Sequence, residues 1–155
     1  MTTLAYTILL VKDIEKAKNF YQKFFAQEIE VDLGKLIGFK SGLALWQEDD
    51  MAEKSRLGEH PIIRGRGGME IEFHTEDIED LCRRLQEAKV ELLHGVVKHP
   101  WEQKVFRCLD SDGHCIEVDE YLWVTAQRLA KAGRDKKEIA SLFGVSEDMV
   151  TDMLS

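Results

Sequence analysis

The chain has 155 residues, 44% of them apolar, enough to fill one sizeable core and too few to build a second large domain. Its 21 Lys and Arg face 29 Asp and Glu, a net charge of -8, so its field repels phosphate backbones and anionic membranes and argues against nucleic acid as a partner. Cys82, Cys108 and Cys115 are odd in number and lie in apolar segments, as expected of a reducing cytoplasmic location, and the apolar run from Leu4 to Val11 is too short to cross a bilayer and lacks the flanks of a signal peptide, so no membrane is expected.

Residues 4–12 are rich in β-branched and aromatic types and predict a strand that stops at Asp13, a helix cap. Ile14, Ala17, Phe20, Tyr21, Phe24 and Phe25 then recur at three- and four-residue steps, which predicts a helix over 14–25 with one buried stripe. From Ile29 to Gln47 short apolar runs broken at Gly34, Gly38 and Gly42 predict three hairpin-linked strands. Residues 48–67 mix charge, Gly and Pro without a period and read as a connector.

The pattern then restarts. MEIEFH is an alternating strand, and TEDIEDLCRRLQEAK is an amphipathic helix with Thr75 or Asp77 as its cap. VELLHGVVK, KVFRCL and CIEVDEY supply three further strands, the last two joined by DSDGH, whose Asp and Gly suit a tight turn. DIE at 13–15 recurs as DIE at 77–79, and SGLALWQ at 41–47 corresponds to DGHCIEV at 112–118, so the chain reads as two βαβββ units, about 1–47 and 68–120.

A strand ending in V-x-D-I-E, the aromatic helix end NFYQKFF and the DSDGHCIEV segment together resemble the glyoxalase/bleomycin resistance/dioxygenase (vicinal oxygen chelate) superfamily. The resemblance spans residues 4–120 and implies an α+β fold in which each βαβββ unit forms a cupped mixed sheet and the inside of the cup is the site. It also implies a homodimer that binds a small molecule, in the metal-dependent members with one divalent ion (Mg, Mn, Zn or Ni) and in the sequestering members with none. The positions that carry the family's ligands are Tyr6, Trp46, Glu70 and Glu117 here, two aromatics and two carboxylates where His and Glu are usual.

Strand alternation places Glu70, Glu72 and His74 on one face, with Ile71 and Phe73 on the other, and Cys115, Glu117 and Asp119 on the cup side of the last strand. Crowded carboxylates call for a positive partner. Three answers are open: a hard metal held by Glu70 and Glu117 with His74 or Glu72 completing the shell, a solvated face on which Glu70 and Glu72 pair with Arg107 or Lys104, and a cationic or flat ligand stacked on Tyr6, Trp46 or Trp101. His94, His99 and His114 lie scattered on turns and strand ends and read as surface residues.

The expected function is that of a small-molecule-binding or lyase-like member of this superfamily, whose catalytic version uses Glu70 and Glu117 to hold a divalent metal and whose ligand touches Tyr6, Trp46, Trp101, Glu72 and Arg107. The alternatives are a metal-free protein that sequesters an antibiotic-like molecule and a ligand-sensing regulator. Residues 121–155 predict three helices broken at Gly133 and Gly144 with helix-turn-helix spacing, but the last carries Glu147, Asp148 and Asp152 and no Lys or Arg, which argues against DNA.

Overall fold

The computed structural model describes residues 2–54 and 68–155, so residues 55–67 of the expected connector lie outside the described residues. The chain divides into two compact units, Met1–Arg66 with Asp110–His114, and Gly67–Leu109 with Cys115–Ser155.

In the first unit β1 (Thr7–Val11) leads into α1 (Ile14–Phe25). The Asp13 carboxylate accepts a hydrogen bond from the Lys16 N–H, the cap its position predicts, and Ile14, Ala17, Tyr21 and Phe25 form the buried stripe. β2 (Ile29–Asp32), β3 (Leu36–Phe39) and β4 (Leu43–Gln47) complete a sheet in the order β1-β4-β3-β2, with β1 parallel to β4 and the other pairs antiparallel. Gly34 and Gly42 stand at turns with φ of +77° and +87°, as expected, whereas Gly38 does not end a strand. It lies inside β3, where an added Cβ would meet the Tyr6 ring at 3.1 Å, so this glycine serves a close approach rather than a break.

The connector does not begin as a loop. Residues 48–54 form α2 (Glu48–Lys54), whose first turn carries Glu48, Asp49 and Asp50 at the positive end of the helix and whose Met51 is buried. A helix of seven residues shows too little periodicity to be read from a charged sequence, and burial of Met51 makes up the difference.

The second unit repeats the plan with β5 (Glu70–Thr75), α3 (Ile78–Glu87), β6 (Leu92–Lys98), β7 (Lys104–Leu109) and β8 (Cys115–Glu120). Its sheet runs β5-β8-β7-β6, again with the first and last strands of the unit parallel. Asp77 caps α3 by accepting from the Asp80 N–H, and Ile78, Leu81, Cys82 and Leu85 are buried. The DSDGH turn is held from within: Asp110 Oδ1 accepts from the Asp112 and His114 N–H groups, its Oδ2 accepts from Tyr21 Oη, and Gly113 sits at φ +89°.

Beyond β8 follow α4 (Leu122–Lys131), α5 (Lys136–Phe143) and α6 (Glu147–Leu154), with Ala126, Leu129, Ile139, Ala140 and Val150 as their common core. Asp135 and Glu138 make a capping box and Gly144 closes α5 in the left-handed region. These helices group with the second unit. Glu120, 2% exposed at the end of β8, accepts from Thr125 Oγ1 and Arg128 Nη2 of α4.

Candidate functional site on the second sheet

The β5 strand shows the predicted alternation, with Glu70, Glu72 and His74 exposed and Ile71 and Phe73 half-buried. β8 pairs with β5 so that Glu72 lies opposite Glu117, and with β7 so that Arg107 lies opposite Glu117. Arg107 thereby becomes a cross-strand partner for both neighbouring acids. Its Nε is 3.0 Å from Glu70 Oε1, its Nη2 is 3.4 Å from Glu70 Oε2, and the same Nη2 donates to Glu117 Oε2. Nη1 has no hydrogen-bond partner among the described residues.

Hydrogen bonds from Glu117 and Arg107 hold the Glu70 carboxyl below the usual range. Burial, with the neighbouring Glu70, pushes Glu117 up to about 7. Asp119 is also raised, again by burial. Cys115, whose Sγ is 3.7 Å from Glu70 Oε1, is pushed up by burial and is no ready nucleophile.

A second group meets on the other side of Glu117. His99 Nε2 lies 3.6 Å from Glu117 Oε1 and 3.4 Å from Asp119 Oδ1. Asp119 is 4% exposed, and its Oδ1 has no hydrogen-bond partner among the described residues. The Trp101 indole stacks on the His99 ring at 4.2 Å and 13° and donates through Nε1 to Gln103, which itself donates to the Glu120 carbonyl. His99 is therefore not the surface residue its position on a strand end implied. The bend through Pro100 folds Trp101 back over it, a contact between near neighbours that no spacing rule registers.

The other predicted residues are placed as follows. Glu72 accepts at 2.7 Å from His74 Nε2, and both are exposed. Lys104 pairs with Glu79 of α3 and not with the β5 glutamates. In the first unit Tyr6 precedes β1, and its Oη donates to Glu30 at 2.6 Å, which raises the phenol's pKa. Trp46 donates through Nε1 to Asp50 at 2.8 Å.

The four family positions do not fit a metal ion. Neither Trp46 nor Ala44, the β4 residue that strand register puts in its place, has a donor to give, the Tyr6 oxygen is held as a protonated donor, and Glu70 and the Oε2 of Glu117 share a guanidinium that supplies the positive charge. The two sheets also correct the internal correspondence. Equating the helix caps Asp13 and Asp77 makes Ile8 the counterpart of Glu72, and Ile8 lies opposite Ala44 while Glu72 lies opposite Glu117. Ala44 is thus the counterpart of Glu117, and Trp46 that of Asp119. A shift of two residues keeps a side chain on the same face, so alternation could not expose it.

Two βαβββ units with the same strand order, the second carrying a polar face of Glu70, Arg107 and Glu117, define an α+β chain of the vicinal oxygen chelate class. The model of the glyoxalase-like domain matches residues 4–123, and the chain belongs to that family. A protein of unknown function from Agrobacterium tumefaciens is 29% identical, with a TM-score of 0.65 over 78% of this chain and 95% of that one. A lactoylglutathione lyase from the same species is 22% identical, with a TM-score of 0.56 over 77% of this chain and 94% of that one. A glyoxalase/bleomycin resistance protein/dioxygenase family enzyme from Burkholderia phytofirmans is 15% identical, with a TM-score of 0.67 over 77% of this chain and 98% of that one. No curated protein matches the chain.

Proposed function

We propose that this chain binds a small oxygen-bearing organic molecule on the polar face of its second sheet and converts it in a lyase-like reaction. The observation that supports this is Arg107, fixed between Glu70 and Glu117 with one guanidinium edge left to donate. A cation flanked by two carboxylates leaves a negative surplus, so the ligand is neutral or cationic and offers a carbonyl or hydroxyl oxygen to Nη1. Glu72 and the 37% exposed Trp101 border the place where such a molecule would lie.

Trp101 also favours a second reading, binding without conversion, because a stacked indole beside carboxylates suits a flat cation. Both are tested by titrating the protein with vicinal hydroxyketones and with aromatic cations while following tryptophan emission. Arg107→Ala is expected to weaken hydroxyketone binding at least tenfold, and recovery of an altered product by NMR supports conversion. Recovery of the compound unchanged supports sequestration, and an unaltered affinity in Arg107→Ala removes the proposed site. We place the activity in a cytoplasmic homodimer, as the family resemblance implies; a monomer mass in sedimentation equilibrium would discard the dimer. No helix among the described residues is long and apolar enough to cross a membrane.

A further inference from the structure

We propose that His99, Glu117 and Asp119 form a site for one divalent first-row transition ion, which shares Glu117 with the family positions but takes its other two donors from Asp119, further along β8, and from the loop after β6. The three side chains bring one donor atom each within 4.8 Å of one another. The His99 nitrogen stands 3.4 Å from Asp119 Oδ1 and 3.6 Å from Glu117 Oε1. Bonds of about 2.1 Å in a tetrahedral shell set neighbouring donors about 3.4 Å apart, so these atoms need little movement to share an ion.

The independent sign of a ligand is Asp119. A carboxylate oxygen that is buried with no hydrogen bond is costly to fold, and here it points at an imidazole nitrogen and beside a second carboxylate. A shared ion removes that cost. Glu117 can serve both neighbours because its two oxygens are divided, Oε2 to Arg107 and Oε1 to the His99 side.

The surroundings hold the donors in place. The His99 N–H donates to the Gln103 carbonyl at 2.8 Å and the Glu102 N–H donates to the His99 carbonyl at 2.9 Å, which pins the loop, while Trp101 covers one face of the ring. Glu72, His74 and Asp119 also gather within 4.8 Å, but His74 is already bonded to Glu72 and both are exposed. One imidazole with two carboxylates selects Mn²⁺, Co²⁺, Ni²⁺ or Zn²⁺ over Mg²⁺, and three protein donors leave a position open to a ligand oxygen. The inference rests on the proposed function only in placing the organic molecule on the same sheet face.

The test is calorimetric titration of the tag-free, chelator-treated full chain with Zn²⁺, alongside Co²⁺ titration read by its visible spectrum. One ion per chain is expected, with affinity lowered at least tenfold in His99→Gln and in Asp119→Asn and unchanged in Glu70→Gln and His74→Ala. Circular dichroism confirms that each variant is folded, and Asp119→Asn preserves shape should His99→Gln not fold. Absence of binding, or loss of binding in Glu70→Gln with His99→Gln unaffected, overturns the site. Arg107→Ala separates the two proposals, since it should weaken organic-ligand binding at least tenfold while Zn²⁺ still binds.

Discussion

At the scale of single residues, the centre of the second sheet turns on a charge balance that one arginine only partly settles. Arg107 neutralises Glu70 and one side of Glu117, whereas Asp119 Oδ1 has no hydrogen-bond partner among the described residues and faces the His99 imidazole nitrogen at 3.4 Å. Removing the guanidinium in Arg107→Ala leaves two adjacent carboxylates without their common partner and should cost about 1–2 kcal/mol in urea denaturation, less than a fully buried pair because the Glu70 side chain is 39% exposed. Arg107→Lys should recover only part of this, since an ammonium cannot fork to both acids.

The pH dependence follows from Glu117. Its folded pKa of about 7 lies above the ordinary glutamate value near ~4.3, so between these limits the folded chain keeps a proton that the unfolded chain has released. Stability must therefore fall as pH rises through that window, and the raised Asp119 adds to the same trend. Glu70, held low, acts oppositely and loses its contribution as the solution becomes more acidic. Urea midpoints with chelator present should drop between about pH 5 and pH 8, and Glu117→Gln should flatten that drop. A midpoint that climbs over the same range would contradict the buried acid.

At the scale of elements, the two long helices of the repeat were legible because cap and period agree. Asp13 and Asp77 each accept from the N–H three residues on, the buried positions of α1 fall on its predicted stripe, and those of α3 keep the same three- and four-residue steps. α2 and Gly38 were not legible for one shared reason. Each depends on a contact made outside its own segment, Met51 in the core and the Tyr6 ring against β3. Gly38→Ala should therefore lower stability by about 1–3 kcal/mol through overpacking, and pairing it with Tyr6→Ala in a double-mutant cycle should return part of the loss. Additive losses in thermal melts would mean that the close approach is not the cause.

At the scale of the whole molecule, the three C-terminal helices are tied to β8 by polar contacts as well as by sequence. The Glu120 carboxylate accepts from Thr125, Arg128 and the Lys104 N–H, and Arg128 also donates to the Glu102 carbonyl. Arg128→Met should cost about 2–3 kcal/mol by leaving a buried acid short of its cation. Hydrogen exchange should then quicken in α4 and at the end of β8 together, whereas quickening in α4 alone would mean the helices lean on their own core.

The sequence by itself determined the repeat, the strand and helix order, the face on which Glu70, Glu72, His74, Glu117 and Asp119 stand, and the acidic surplus that calls for a cation. Those are local properties, set by alternation, by helical period and by caps that act over three or four residues. Only the tertiary structure decided which side chain answers which acid: Arg107 reaches Glu70 across two strands, and His99 comes under Trp101 to face Glu117 and Asp119. Register between strands fixes such pairings, and register is set by contacts between segments far apart in the chain, which no single segment encodes.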